Sequence, residues 1–174
     1  KAVDLLEDKL KRGKINPAQK EVALKKAMVV LLRNMNDTKR ALNLLQELPQ
    51  KQWPTSLQSE ISQWKSYLSR WQQGQLKNKI NPQKLPAQKK VSGQHFIAAV
   101  HNSLILHRAL STTVSTPQRS KIYYSLGKIY ARYPDLVSAN LPETYYEACI
   151  YEQPGTQQAL KCYYSLESLT MLGG

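Results

Sequence analysis

Cys149 and Cys162 are the only thiols in the 174-residue chain, and they flank the turn "QPGT" at 153–156. A helix ending near Glu152 and another starting near Thr156 place Cys149 just before the turn and Cys162 just after it. At about 1.5 Å rise per residue, their heights differ by about 4–5 Å. Neighbouring helices lie about 8–10 Å apart, and a disulfide wants its Cα atoms within roughly 7 Å. A bridge therefore requires a close-packed pair. The other reading is two thiols buried in a core, where free cysteine is common. No further cysteine competes, which favours the bridge. A bridge in turn favours an exported or periplasmic setting, and free thiols a cytoplasmic one.

The histidines offer less chemistry. His95, His101 and His107 recur every six residues, which turns successive rings about 120° around a helix. They cannot converge on one ion, and are read as surface or seam residues. No C-x-x-C-H or H-E-x-x-H motif occurs, so neither a metal nor another cofactor is expected. Nor is there a glycine-rich phosphate loop or a nucleophile elbow. Superhelical enzymes such as lytic transglycosylases need a catalytic Glu. Glu60 sits among Ser and Gln, and Glu167–Ser168 lacks the surrounding motif of that family. No catalytic residue is assigned, and the expectation is that the chain is not an enzyme.

Charge says more. The formal net charge is +13, unevenly laid out. Residues 1–60 carry +5, and residues 135–174 carry −4 with Lys161 their only base. Between them, residues 61–134 hold 12 bases and no acid. Such a one-signed field favours an anionic partner: an acidic protein surface, nucleic acid or lipid headgroups. Tyrosine pairs stand at 123–124, 145–146 and 163–164. Adjacent helical residues point about 100° apart, so one ring of each pair should pack in a seam while the other reaches a groove. The last two pairs fall in the acidic tail, the wrong neighbourhood for stacking nucleic-acid bases.

These residues must be placed by helices. The sequence shows no alternating strand pattern and no Asn-Gly hairpin turn. Helices are predicted over 2–12, 17–35, 38–48, 55–73, 94–110, 116–133, 142–152 and 156–171. On the first, Leu5, Leu6 and Leu10 share a side. On the third, Ala41, Leu44, Leu45 and Leu48 face inward. The fourth carries Leu57, Ile61, Trp64, Leu68 and Trp71 in alternating steps of four and three, an amphipathic stripe. The phrase "KINP" occurs twice. At 14–17 it opens a helix: Asn16 caps, Pro17 takes the first position, and Gln19 completes a capping box. At 79–82 it is followed by Lys84 and by Pro86, whose ring would clash with the preceding turn. It therefore lies in a basic linker, 74–93, between an N-terminal half, 1–73, and a C-terminal half, 94–174. Thr116 and Pro117 open the sixth helix as cap and first-turn proline. No apolar run approaches the roughly 20 residues of a membrane span. "KAVDLLEDKLKR" is charged throughout, unlike a signal peptide. The chain begins without Met, as a processed or trimmed product would, so a missing targeting signal decides nothing.

Short turns between such helices predict antiparallel hairpins. These stack into a solenoid, with a closed bundle as the second possibility. "YYSLGKIY" at 123–130 places Tyr123, Leu126, Gly127 and Tyr130 in the aromatic-x2-Leu-Gly-x2-Tyr order, and so resembles the first helix of a tetratricopeptide repeat. Gly127 would let the paired helix approach closely. Ala139 falls where the repeat wants a small residue, although Pro142 interrupts its second helix. "ALNLLQELP" at 41–49 resembles the second helix of such a repeat through Ala41, Leu45 and Pro49. The tail "ACIYEQPGTQQALKC" is loosely similar to the cysteine-paired hairpins of exported bacterial repeat proteins. The resemblance covers about a third of the chain and implies an all-α, tetratricopeptide-like solenoid of seven to eight helices used for protein–protein contact. The function expected is a non-catalytic scaffold or adaptor subunit. Its basic groove would receive an acidic protein surface through Lys77, Lys79, Lys84, Lys89, Lys90, Arg108, Arg119, Lys121, Lys128 and Arg132. Tyr123, Tyr130 and Tyr146 would line it. The alternative is nucleic-acid binding by segment 61–134. Opposite charges in the middle and tail also allow copies to self-associate.

Overall fold

The first "KINP" begins a helix where predicted: α2 starts at Pro17, and the main-chain carbonyl of Asn16 accepts from the Gln19 N–H at 2.8 Å. The computed structural model describes residues 2–12, 15–49, 53–76, 96–112, 115–136 and 141–172. Among these it holds eight α-helices and no strand. They are α1 (Ala2–Lys11), α2 (Pro17–Val29), α3 (Thr38–Glu47), α4 (Thr55–Gln72), α5 (Phe96–Leu110), α6 (Thr116–Arg132), α7 (Leu141–Glu152) and α8 (Gln157–Leu172). The second "KINP", most of the expected linker 74–93, His95 and Ala139 lie outside the described residues.

The chain divides into two compact units. Among the described residues the first holds those up to 76 together with 96–101, and the second those from 102 onward. The division falls inside α5, and not before residue 94 as the composition suggested. The reason is aromatic packing. On the start of α5, Phe96 lies 5.5 Å from Trp64, and His101 lies 3.9 Å from Trp71, between ring centroids.

In the first unit, α2 ends in a π-helical turn, Val30–Asn34. Asn36 leaves it at φ 52°, a left-handed conformation that Asn tolerates better than most side chains. The chain then re-enters a helix at once: the Asp37 carboxylate accepts from the Arg40 N–H at 2.8 Å and caps α3. The apolar stripes predicted for α3 and α4 are buried, Ala41, Leu44, Leu45 and Leu48, then Leu57, Ile61, Trp64 and Leu68, except for Trp71 at the end of the second, which is half-buried. On α1 the reading needs correction. Leu10 is buried but Leu5 is exposed, and Glu7 takes an inward position. Arg40 makes that burial tolerable. Its Nε and Nη2 donate to the two Glu7 carboxylate oxygens at 3.0 Å each, and Nη2 also pairs with Asp4. A carboxylate leaves water at modest cost when a guanidinium fork replaces its hydration.

In the second unit, α6 runs antiparallel to α7. As the number on one rises, its partner's falls: Arg119 meets Glu152, Ser120 meets Cys149, and Tyr124 and Gly127 meet Tyr146. The α6 cap lies one residue earlier than predicted, at Ser115, whose N–H donates to Gln118 Oε1 at 3.1 Å. The turn after α7 brings α8 back against it. Cys149 and Cys162 are joined as a disulfide with Cα atoms 6.2 Å apart, the close-packed case.

Gly127 does what its place in the motif implies. A Cβ there would sit 2.6 Å from Tyr146 Cε1 and 2.8 Å from Cδ1. Tyr146 is buried, so its ring has little room to retreat. Alanine would add about 1 kcal/mol of helix propensity, but overpacking a filled core costs about 1–3 kcal/mol. Gly127→Ala is therefore expected to lower the stability of the second unit, read as an earlier thermal midpoint by circular dichroism.

Candidate functional site

On α6, Lys121, Tyr124, Lys128 and Arg132 stand at i, i+3, i+7 and i+11. At 100° per residue these four lie within about 80° of one another around the helix. They form a single stripe, half-buried at its start and exposed at Arg132. Lys128 Nζ lies 5.7 Å from the centre of the Tyr124 ring, and the Arg132 guanidinium lies 5.7 Å from that of Tyr133. Each cation is thus held over an aromatic face, which orders a long side chain. Burial, and then the neighbouring Arg132, lower the Lys128 pKa below the ordinary lysine value. A cation in that position gains from an approaching anion.

The remaining expected site residues divide. Arg108 lies exposed in the last turn of α5. Arg119 is committed inside the unit, its Nε 2.5 Å from Glu152 Oε1 on α7. Tyr123 is half-buried, its ring stacked 6.3 Å from that of Tyr145. Tyr130 and Tyr146 are not groove walls: they are 0% and 3% exposed. Both rings are drawn into the seam. Tyr146 covers Gly127, and Tyr130 stacks 5.4 Å from Tyr145. Burial, and then Tyr124, push the Tyr146 hydroxyl up to about 12 against a hydrogen bond from Ser165. Lys77, Lys79, Lys84, Lys89 and Lys90 lie outside the described residues.

His101 and His107 are seam residues, with more structure than their spacing suggested. His107 Nε2 lies 2.7 Å from the Tyr130 hydroxyl and 3.5 Å from that of Tyr145. His101 is buried, with Nδ1 3.0 Å from the Tyr67 hydroxyl. Both clusters satisfy buried polar atoms through ring hydroxyls. The available signal was the pairing of histidines with tyrosines on neighbouring helices, which six-residue spacing alone does not display.

Of the three tyrosine pairs, the last departs most from the one-in, one-out expectation. Tyr163 and Tyr164 are both exposed on α8. Among the described residues, no group of three His, Cys, Asp or Glu side chains could hold a metal ion. No helix there is long and apolar enough to cross a membrane. No protein-family model, curated protein or solved structure matches the chain.

Proposed function

We propose that the chain is a non-catalytic scaffold or adaptor subunit of a larger assembly. Its helical hairpins would stack in a tetratricopeptide-like way, and the basic, tyrosine-bearing stripe of α6 would receive an acidic protein surface. The observation that carries this reading is the Lys121–Tyr124–Lys128–Arg132 stripe, set within a 61–134 segment that contains no acid. Aromatic rings beside cations provide apolar contact area and charge together, the combination that anchors protein interfaces. Tyr146 supports the reading indirectly, packed against the ring of Tyr124.

The test is reversal of charge on the stripe. Lys121→Glu/Lys128→Glu should abolish crosslinked capture of a protein partner from native extract while leaving the helical circular dichroism unchanged. Capture that survives the double reversal would sink the proposal. So would nucleic-acid binding that falls steeply with salt and is lost in the same variant, which would assign the stripe to phosphates instead.

A further inference from the structure

Of the chain's asparagines, only Asn36 stands two residues before a Ser or Thr: Asn36-Asp37-Thr38, with no proline between. Asn-x-Ser/Thr is the acceptor sequence for N-linked glycans, carried on surface loops of secreted chains. A three-residue pattern recurs by chance, so its surroundings decide. Asn36 is exposed, as are Asn34 and Met35 before it. They form the corner where the π-helical turn after α2 gives way to α3. The corner is pinned on both sides of Asn36. Met35 N–H donates to the Val30 carbonyl at 3.1 Å, and Asp37 N–H to the Leu31 carbonyl at 2.9 Å. Leu31 and Leu32 anchor it in the core. Asn36 belongs to neither helix, so neither has to unwind for a bulky group to stand on its side chain. The left-handed backbone at 36 accounts for an asparagine there, although glycine would serve as well. It does not account for a hydroxyl at 38. Nor does capping, because the cap of α3 is the Asp37 carboxylate, which accepts from the Arg40 N–H at 2.8 Å.

The disulfide between Cys149 and Cys162 is the independent observation. Disulfides persist in secreted and lumenal chains and are rare where thiols are kept reduced, and the secretory route is also where the Asn-x-Ser/Thr sequence is used. We propose that Asn36 carries an N-linked oligosaccharide. The Asn36 amide nitrogen forms a bond to the anomeric carbon of the first sugar. The bond from that carbon to the diphosphate of a lipid-linked oligosaccharide breaks. The lipid diphosphate leaves, and the amide gives up one proton. The Thr38 hydroxyl is what the transferring enzyme recognises, a group that serine also supplies and alanine does not. The site lies in the first unit and uses none of the α6 stripe residues.

Expressed through an oxidising secretory route, the full chain is expected at 19.9 kDa plus one oligosaccharide. Peptide N-glycosidase should remove that gain and leave an aspartate at position 36. Asn36→Gly should abolish the gain with the helical circular dichroism unchanged, because glycine adopts the same φ without strain. Thr38→Ala should abolish it too, and Thr38→Ser should retain it. Trypsin isolates residues 34–39, between Arg33 and Lys39. In protein taken from native extract, that peptide should carry the sugar on Asn36. A secreted chain of 19.9 kDa overturns the proposal, as does a native 34–39 peptide that is wholly unmodified. So does a mass gain that survives Asn36→Gly or Thr38→Ala, which would put the modification elsewhere, or one that is lost in Thr38→Ser.

Discussion

Replacing both Cys149 and Cys162 by serine is expected to lower the unfolding free energy of the second unit by about 3 kcal/mol. The bridged residues are 13 apart in sequence. Closing a loop of that size removes entropy from the unfolded chain worth about 3 kcal/mol in the chain-entropy account. The native side changes less. Both sulfurs are buried among Tyr123, Tyr124, Ile150, Leu166 and Leu169, and that packing persists without the bond. The measurement is urea unfolding with and without reductant. At a typical slope of about 1–3 kcal/mol per molar urea, the midpoint should fall by roughly 1–3 M. Nine of the ten tyrosines lie in the second unit, and all three tryptophans in the first. Tyrosine near-ultraviolet dichroism therefore reads the affected transition. Intact mass should show two hydrogens gained on reduction. An oxidised protein with two free thiols and an unmoved midpoint would refute the bridge.

The disulfide also shows how far sequence carries. Composition and turn lengths allowed a bridge but could not decide it, because the decision rests on how closely α7 and α8 pack. Gly127 sits at the close approach of α6 to α7, and its place in a repeat-like motif was readable for that reason. Helix starts were readable where Pro and a capping residue coincide, as at Pro17. They slipped by one where several polar residues compete, as at Ser115 and Thr116. Periodicity found the inward faces of α3 and α4. It misjudged α1, where an ion pair between Glu7 and Arg40, 33 residues apart, overrides apolar spacing. The candidate site was legible as charge, since an acid-free segment needs no structure to be seen. Which tyrosines stay accessible was not legible, because burial depends on the neighbouring helix. The same limit applies to Arg119, whose partner Glu152 lies in the acidic tail.

Tyr130→Ala is expected to cost the second unit about 3–5 kcal/mol, the range for removing a buried aromatic ring. Tyr130 is fully buried, stacked on Tyr145 and hydrogen-bonded to His107. Tyr130→Phe separates the two contributions. It keeps the ring and removes the hydroxyl, leaving His107 Nε2 with the Tyr145 hydroxyl at 3.5 Å. Loss of one such bond costs about 1–2 kcal/mol, so Phe should fall well short of Ala. Surface and seam tyrosines then become distinguishable by paired readouts. Tyr124→Ala removes the ring beneath Lys128, so it should weaken partner capture more than it lowers the thermal midpoint. Tyr130→Phe should lower the midpoint and leave capture unchanged at temperatures where the unit is folded. A Tyr130→Ala variant of unaltered midpoint that no longer captures a partner would return Tyr130 to the binding face. The expected order of midpoints is wild type, then Tyr130→Phe, then Tyr130→Ala, because the ring contributes more burial than the hydroxyl contributes hydrogen bonding.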